Sequence, residues 1–116
     1  MIVVVQGTSS FTDYNVFLRA MGVAMSNLTE EDSELLLYSA GPGKINSMTM
    51  EFANLSDRGM KARGKKIKFF VVPPWWFENN METVNYFAFF SKQGEPMSKL
   101  AKQAEDYKIE VGTFVY

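Results

Sequence analysis

Leu35-Leu36-Leu37-Tyr38-Ser39-Ala40-Gly41-Pro42-Gly43-Lys44-Ile45-Asn46 decides how this chain is read. An apolar run of strand length gives way to small residues and glycines. The apolar positions then take helical spacing at Ile45, Met48, Phe52 and Leu55. Such a change of period within a few residues marks a strand handing the chain to a helix. At that junction the first N–H groups of the helix have no partner and the helix dipole is positive. The turn therefore suits an anion, most often a phosphate.

Working outward, the same transition recurs. Ile2-Val3-Val4-Val5 is a continuous β-branched run, as expected of a strand covered on both faces. It ends in Gln6-Gly7-Thr8-Ser9-Ser10, after which Thr12 or Asp13 can cap a helix whose stripe is Tyr14, Phe17, Leu18, Met21, Met25 and Leu28. Gly59 and Gly64 are both suitable stops for the second helix. Ile67 to Val72 is the third and most apolar strand, ended by Pro73-Pro74. Trp75 to Asn80 forms a loop or single turn leading to a short helix near Met81, and Tyr86 to Phe90 is a fourth strand. The chain then reaches Ser91-Lys92-Gln93-Gly94-Glu95, with Pro96 placed at the first position of a helix carrying Met97, Leu100, Ala101, Ala104 and Tyr107. Ile109 to Val115 closes the chain as a fifth strand. This alternation predicts one domain over residues 1–116 of α/β class. It is a compact Rossmann-like three-layer sandwich of about five mostly parallel strands flanked by helices. Ligands of such sheets bind outside the carboxyl ends of the strands, so the turns at Gly7, Gly41–Gly43 and Gly94 are expected to line one crevice.

Composition narrows the chemistry. With neither cysteine nor histidine, the chain lacks disulfides, thiolate nucleophiles, the commonest general base and the commonest zinc ligands. No metal or cofactor is expected, and catalysis would fall to carboxylates, Lys, Tyr or backbone dipoles. A net charge of -1 argues against a general nucleic-acid coat. Met1 to Val5 lacks a basic leader and is too short for a signal peptide or membrane span. The reading is cytoplasmic, in a cell or an infected host, with no membrane partner.

The order of motifs resembles the YspA-related branch of the SLOG superfamily, Rossmann-like nucleotide binders akin to the LOG phosphoribohydrolases and the DNA-processing protein DprA. Gly7-Thr8-Ser9-Ser10-Phe11-Thr12-Asp13-Tyr14 is similar to that family's opening Gly-Ser-Arg-x-Phe-Thr-Asp-Tyr. Ser39 to Asn46 stands where the family has Ser-Gly-Gly-Ala-Arg-Gly-Ala-Asp, Pro73-Pro74-Trp75-Trp76 echoes its Pro and Trp segment, and Asn79-Asn80-Met81 its Arg-Asn-x-x-Met element. Phe89 to Val111 follows its closing strand, turn, helix and strand. Departures are specific: Ser9 and Gly43 replace arginines, Asn46 replaces the Asp, and Glu95 lies out of register with the catalytic Glu of the LOG enzymes.

The resemblance implies binding, for sensing or sequestering, of a nucleotide or nucleotide-derived small ligand. Gly7, Thr8, Ser9, Ser10, Gly41, Pro42, Gly43, Lys44, Asn46, Gly94 and Glu95 are the binding candidates. One alternative is an N-glycosidic hydrolase with Glu95 or Glu51 as its carboxylate. Another is an assembly protein that has lost the pocket. Trp75 and Trp76 would stack on a base or serve an interface between copies in a homo-oligomer. Arg58, Lys61, Arg63, Lys65, Lys66 and Lys68 form a basic run read as a solvated helix end more than as a nucleic-acid surface.

Overall fold

A computed structural model describes residues 1–116, with five strands joined in one sheet: β1 (Ile2–Gly7), β2 (Glu34–Ser39), β3 (Lys66–Val71), β4 (Tyr86–Ser91) and β5 (Glu110–Val115). Their order is β3-β2-β1-β4-β5 and every neighbouring pair is parallel. Helices α1 (Tyr14–Met25) and α2 (Gly43–Ala62) cover one face; α3 (Phe77–Asn80) and α4 (Lys99–Asp106) cover the other. The molecule is thus a three-layer α/β sandwich of Rossmann-like topology. Strand order reverses between β1 and β4, which defines the switch point.

The apolar run at Val3-Val4-Val5 has its explanation in this position. Val3 and Val5 pack with Phe17, Met21, Ile45 and Phe90 on the α1–α2 side, while Val4 packs with Phe77, Phe87 and Met81 on the other, all fully buried or nearly so. A strand with helices on both faces has no polar side to keep. The α1–α2 layer is held by aromatic packing: Phe90 stacks on Phe11 at 4.5 Å between ring centroids and on Phe17 at 5.5 Å. Offset aromatic pairs at these separations add to the area they bury.

Several elements differ from the sequence expectation. The third strand is a sheet edge, with Phe70 and Val71 exposed at 43% and 57%. Apolar content signals a strand, but only pairing decides which strand lies outside. Helix α2 passes through Gly59 and stops before Gly64, and α1 ends at Met25 instead of near Leu28. The connector after β3 is helical throughout: a 3-10 turn at Pro74–Trp76, α3, and a second 3-10 turn at Met81–Thr83. Pro96 does not open the last helix. Ser98 caps α4 by accepting from the Ala101 N–H at 3.0 Å, and its hydroxyl donates to the Gln6 side chain at 2.6 Å. That cross-sheet partner, 92 residues away, moves the helix start past the proline.

Three of the six cations in the basic run are engaged within the fold. Lys65 is buried and its ammonium donates to the carbonyls of Thr29 and Asp32, Lys68 pairs with Glu34 at 2.9 Å, and Lys61 pairs with Asp57 at 2.9 Å. A hydrogen bond from the Thr29 backbone is the main cause holding the Asp32 carboxyl below its ordinary value.

Burial, with help from Glu51, pushes the Tyr14 hydroxyl above 10.0; burial, with help from Glu110, does the same for Tyr86. Both groups stay protonated in the fold when the unfolded chain ionises, so the unfolded state holds fewer protons and stability falls with pH. Their contribution is complete below pH 10 and is lost as pH rises from there through the raised values. The urea midpoint should therefore decline as pH rises past 10, with a shallower decline in Tyr14→Phe and Tyr86→Phe.

Candidate functional site

The three small-residue turns come to the carboxyl edge of adjacent strands. β1 delivers Gly7 to Ser10, β2 delivers Ala40 to Gly43, and β4 delivers Lys92 to Glu95. The β1 turn is tied directly to the β2 turn and to the end of β4. The Gly7 N–H donates to the Gly41 carbonyl at 3.2 Å, and the Thr8 N–H donates to the Phe90 carbonyl at 3.1 Å. Gly7 is a glycine because the layers close on it: a Cβ there would stand 2.9 Å from Ile45 Cδ1 and 3.2 Å from Phe90 Cβ. Gly41 is a glycine for a different reason, its φ of 86°. That left-handed backbone turns β2 into α2, and a side chain would strain it.

The helix starts differ in how they are sealed. At α1 the Asp13 carboxylate accepts from the N–H groups of Asn15 and Val16, at 3.0 and 3.1 Å, so a negative charge already occupies the dipole. At α4 the neutral Ser98 hydroxyl accepts from one N–H, that of Ala101. At α2 the cap position is Pro42, which offers no side-chain acceptor, and the N–H groups of Gly43, Lys44 and Ile45 have no acceptor within the protein. Lys44 is exposed in the first turn and has no ion-pair partner. Among the helices longer than one turn, α2 is the one whose start carries no capping side chain, and Lys44 stands in its first turn.

Other candidates are partly spent on the fold. The Ser39 hydroxyl donates to the Asn46 side-chain carbonyl at 2.5 Å, which ties Asn46 to the end of β2. Thr8 and Ser10 share the Tyr116 hydroxyl, with Ser10 at 2.7 Å, while Ser9 is exposed. The ring of Tyr116 lies edge-on to Phe11 at 4.9 Å, and its carbonyl accepts from the Gln93 N–H at 3.4 Å. Tyr116 thus roofs the β1 turn. The sequence reading gave it no role, because an aromatic at the end of an edge strand acquires one only once β5 is placed beside β4.

Gly94 and Glu95 are exposed on the loop before α4 and lie ahead of its first turn, so Glu95 does not sit at a helix start. Glu51 is exposed on α2 beside Tyr14. The two candidate carboxylates are on different elements, and neither takes part in an ion pair. Trp76 packs edge-on against Tyr38 at 4.9 Å and Phe77 at 5.0 Å, whereas Trp75 is 68% exposed.

None of the turn residues lines a concave surface of the molecule. The two roomiest, at about 400 and 420 Å³, are formed between α1 and β5 and between the β3–α3 connector and α4. The site at α2 is consequently a shallow anion-receptive edge and not a closed pocket. No cluster of acidic side chains is arranged to hold a metal ion, and no helix is long and apolar enough to cross a membrane. No family model matches the chain, and neither the curated proteins nor the solved structures include a significant match to it.

Proposed function

We propose that the chain binds a phosphate-bearing small ligand of nucleotide type at the start of α2, acting by binding and not by hydrolysis. The observation that carries this reading is the uncapped helix start: three unpaired N–H groups and Lys44 on α2, where α1 and α4 have capping side chains in Asp13 and Ser98. Backbone donors and a helix dipole favour a phosphate, and Lys44 adds a point charge in reach of its oxygens. The β1 turn adjoins this edge, and its exposed Ser9 supplies a hydroxyl group for a sugar. Binding is favoured over cleavage because Glu51 and Glu95 are not gathered into an acid–base pair.

AMP and ADP-ribose at millimolar concentration should raise the melting temperature, and the rise should grow with concentration as mass action requires. Lys44→Ala should weaken binding about fivefold to tenfold, and Lys44→Glu should weaken it further, consistent with the worth of a charge-assisted contact. Absence of any shift with either nucleotide would overturn the proposal. So would binding that Lys44→Glu leaves intact.

A further inference from the structure

Free space near the carboxyl edge lies in the layer opposite α2. A groove of about 420 Å³ is walled by Pro74, Trp75 and Glu78 on one side and by Lys99, Leu100 and Gln103 on the other. One wall follows β3 and the other follows β4, so the two come from opposite sides of the switch point, which is where α/β sheets leave room for ligands. The volume is in the range that holds a small molecule.

The groove's side chains are unusual in being idle. Trp76 is fixed by Tyr38 and Phe77, yet its neighbour Trp75 holds its indole open to water, although Pro73 and Pro74 stiffen the backbone that carries it. Neither Glu78 nor Lys99 has an ion-pair partner. Lys99 and Gln103 are one turn apart and therefore share a face of α4, with Leu100 beside them. An open indole offers a flat platform, and the groups around it offer a carboxylate acceptor, an ammonium donor and an amide that does both.

We propose that this groove is a second ligand site, taking a purine-like heteroaromatic ring stacked on Trp75. Glu78 accepts from an exocyclic amine of the ring, Gln103 pairs with a donor and an acceptor on its edge, and Lys99 donates to a ring nitrogen. A purely hydrocarbon ring would leave these groups unpaired, and an anion alone would meet Glu78. The site shares no residue with the start of α2, and the proposal stands without that reading.

Adenosine is the probe, because it has the ring and lacks the phosphate. Titrated into the full chain, it should quench tryptophan emission saturably, with a matching heat in calorimetry. Trp75→Leu should weaken the calorimetric affinity roughly tenfold to a hundredfold, the range that loss of one base–aromatic stack produces. Trp75→Phe should stay within about threefold, since a ring remains for stacking. Glu78→Gln and Gln103→Ala should each weaken binding severalfold, and Lys44→Ala should leave it unchanged. Adenosine that fails to saturate, or binds Trp75→Leu like the original chain, overturns the proposal. Loss of adenosine binding in Lys44→Ala with retention in Trp75→Leu would overturn it as well, by placing the ring at α2.

Discussion

Replacing Phe90 with alanine should lower the unfolding free energy by about 3–5 kcal/mol, the cost of removing a fully buried aromatic from a packed core. The side chain is central for a geometric reason. It points from the carboxyl end of β4 into the α1–α2 layer, where it touches Phe11, Phe17 and Phe114 with ring centroids at 4.5, 5.5 and 5.6 Å. Helix α1, strand β5 and the β1 turn lose a contact at once. Collapse is restricted because Ile45 and Phe90 Cβ already crowd the backbone at Gly7, where even a methyl group would clash, so much of the cavity would remain. Against a total stability of about 5–15 kcal/mol this is a large share, and a domain of this size would lose roughly 10–20 °C of melting temperature. Phe70→Ala is the comparison: its ring is 43% exposed on the edge strand and meets Tyr38 alone among aromatics, so the loss should be below half as large. Urea unfolding of both variants measures the difference. Equal losses would mean that the edge and the centre of the sheet are packed alike, which the burial pattern denies.

These neighbouring phenylalanines also show how far the sequence carries. Tyr86 to Phe90 and Ile67 to Val72 look alike as short apolar runs, and both form strands. One is buried along its whole length and the other lies at an edge, because strand order depends on crossovers that local pattern does not encode. Topology class was legible from alternation alone: the five strands, the parallel pairing and the turn at Gly41 follow from periodicity and glycine placement. Helix starts were legible where the cap is local, as at Asp13. They were not legible at Ser98, whose hydroxyl bonds Gln6 across the sheet.

The same division holds at the candidate site. The turns were expected at one edge, and they do meet there, because β2, β1 and β4 are neighbours. What fills the space between them could not be read. Asn46 is engaged by Ser39, and Thr8 and Ser10 are engaged by Tyr116, contacts that join residues 7 to 108 positions apart. Residue type made these side chains candidates; packing decided which remained free. Lys44 and the N–H groups beside it are free because Pro42 cannot cap them.

Gly112 makes the sharpest test of how the closing strand is seated. It lies in β5 opposite Ala88 of β4, yet the residue that claims its space is Tyr86, two positions earlier. A Cβ at position 112 would stand inside the Tyr86 hydroxyl, 2.9 Å from its Cζ and 2.9 Å from Cε2 of Phe114. Tyr86 is 2% exposed, so its ring cannot swing into solvent to make room. Gly112→Ala should therefore destabilise the fold by about 1–3 kcal/mol through overpacking, against the gain that alanine usually brings to a strand. The Tyr86 hydroxyl forms no hydrogen bond within the protein, so Tyr86→Phe alone should cost little. Combining the two removes the atom that the new methyl group strikes first. The double variant should then be more stable than Gly112→Ala, with a coupling of about 0.5–3 kcal/mol measured by a double-mutant cycle in urea. Additive losses would place the Tyr86 hydroxyl away from β5. Because Gly112 and Phe114 also set the course of the strand toward Tyr116, the strain of Gly112→Ala should reach the β1 turn. The amide signals of Thr8 and Ser10 should shift in that variant and return toward their original positions in the double one.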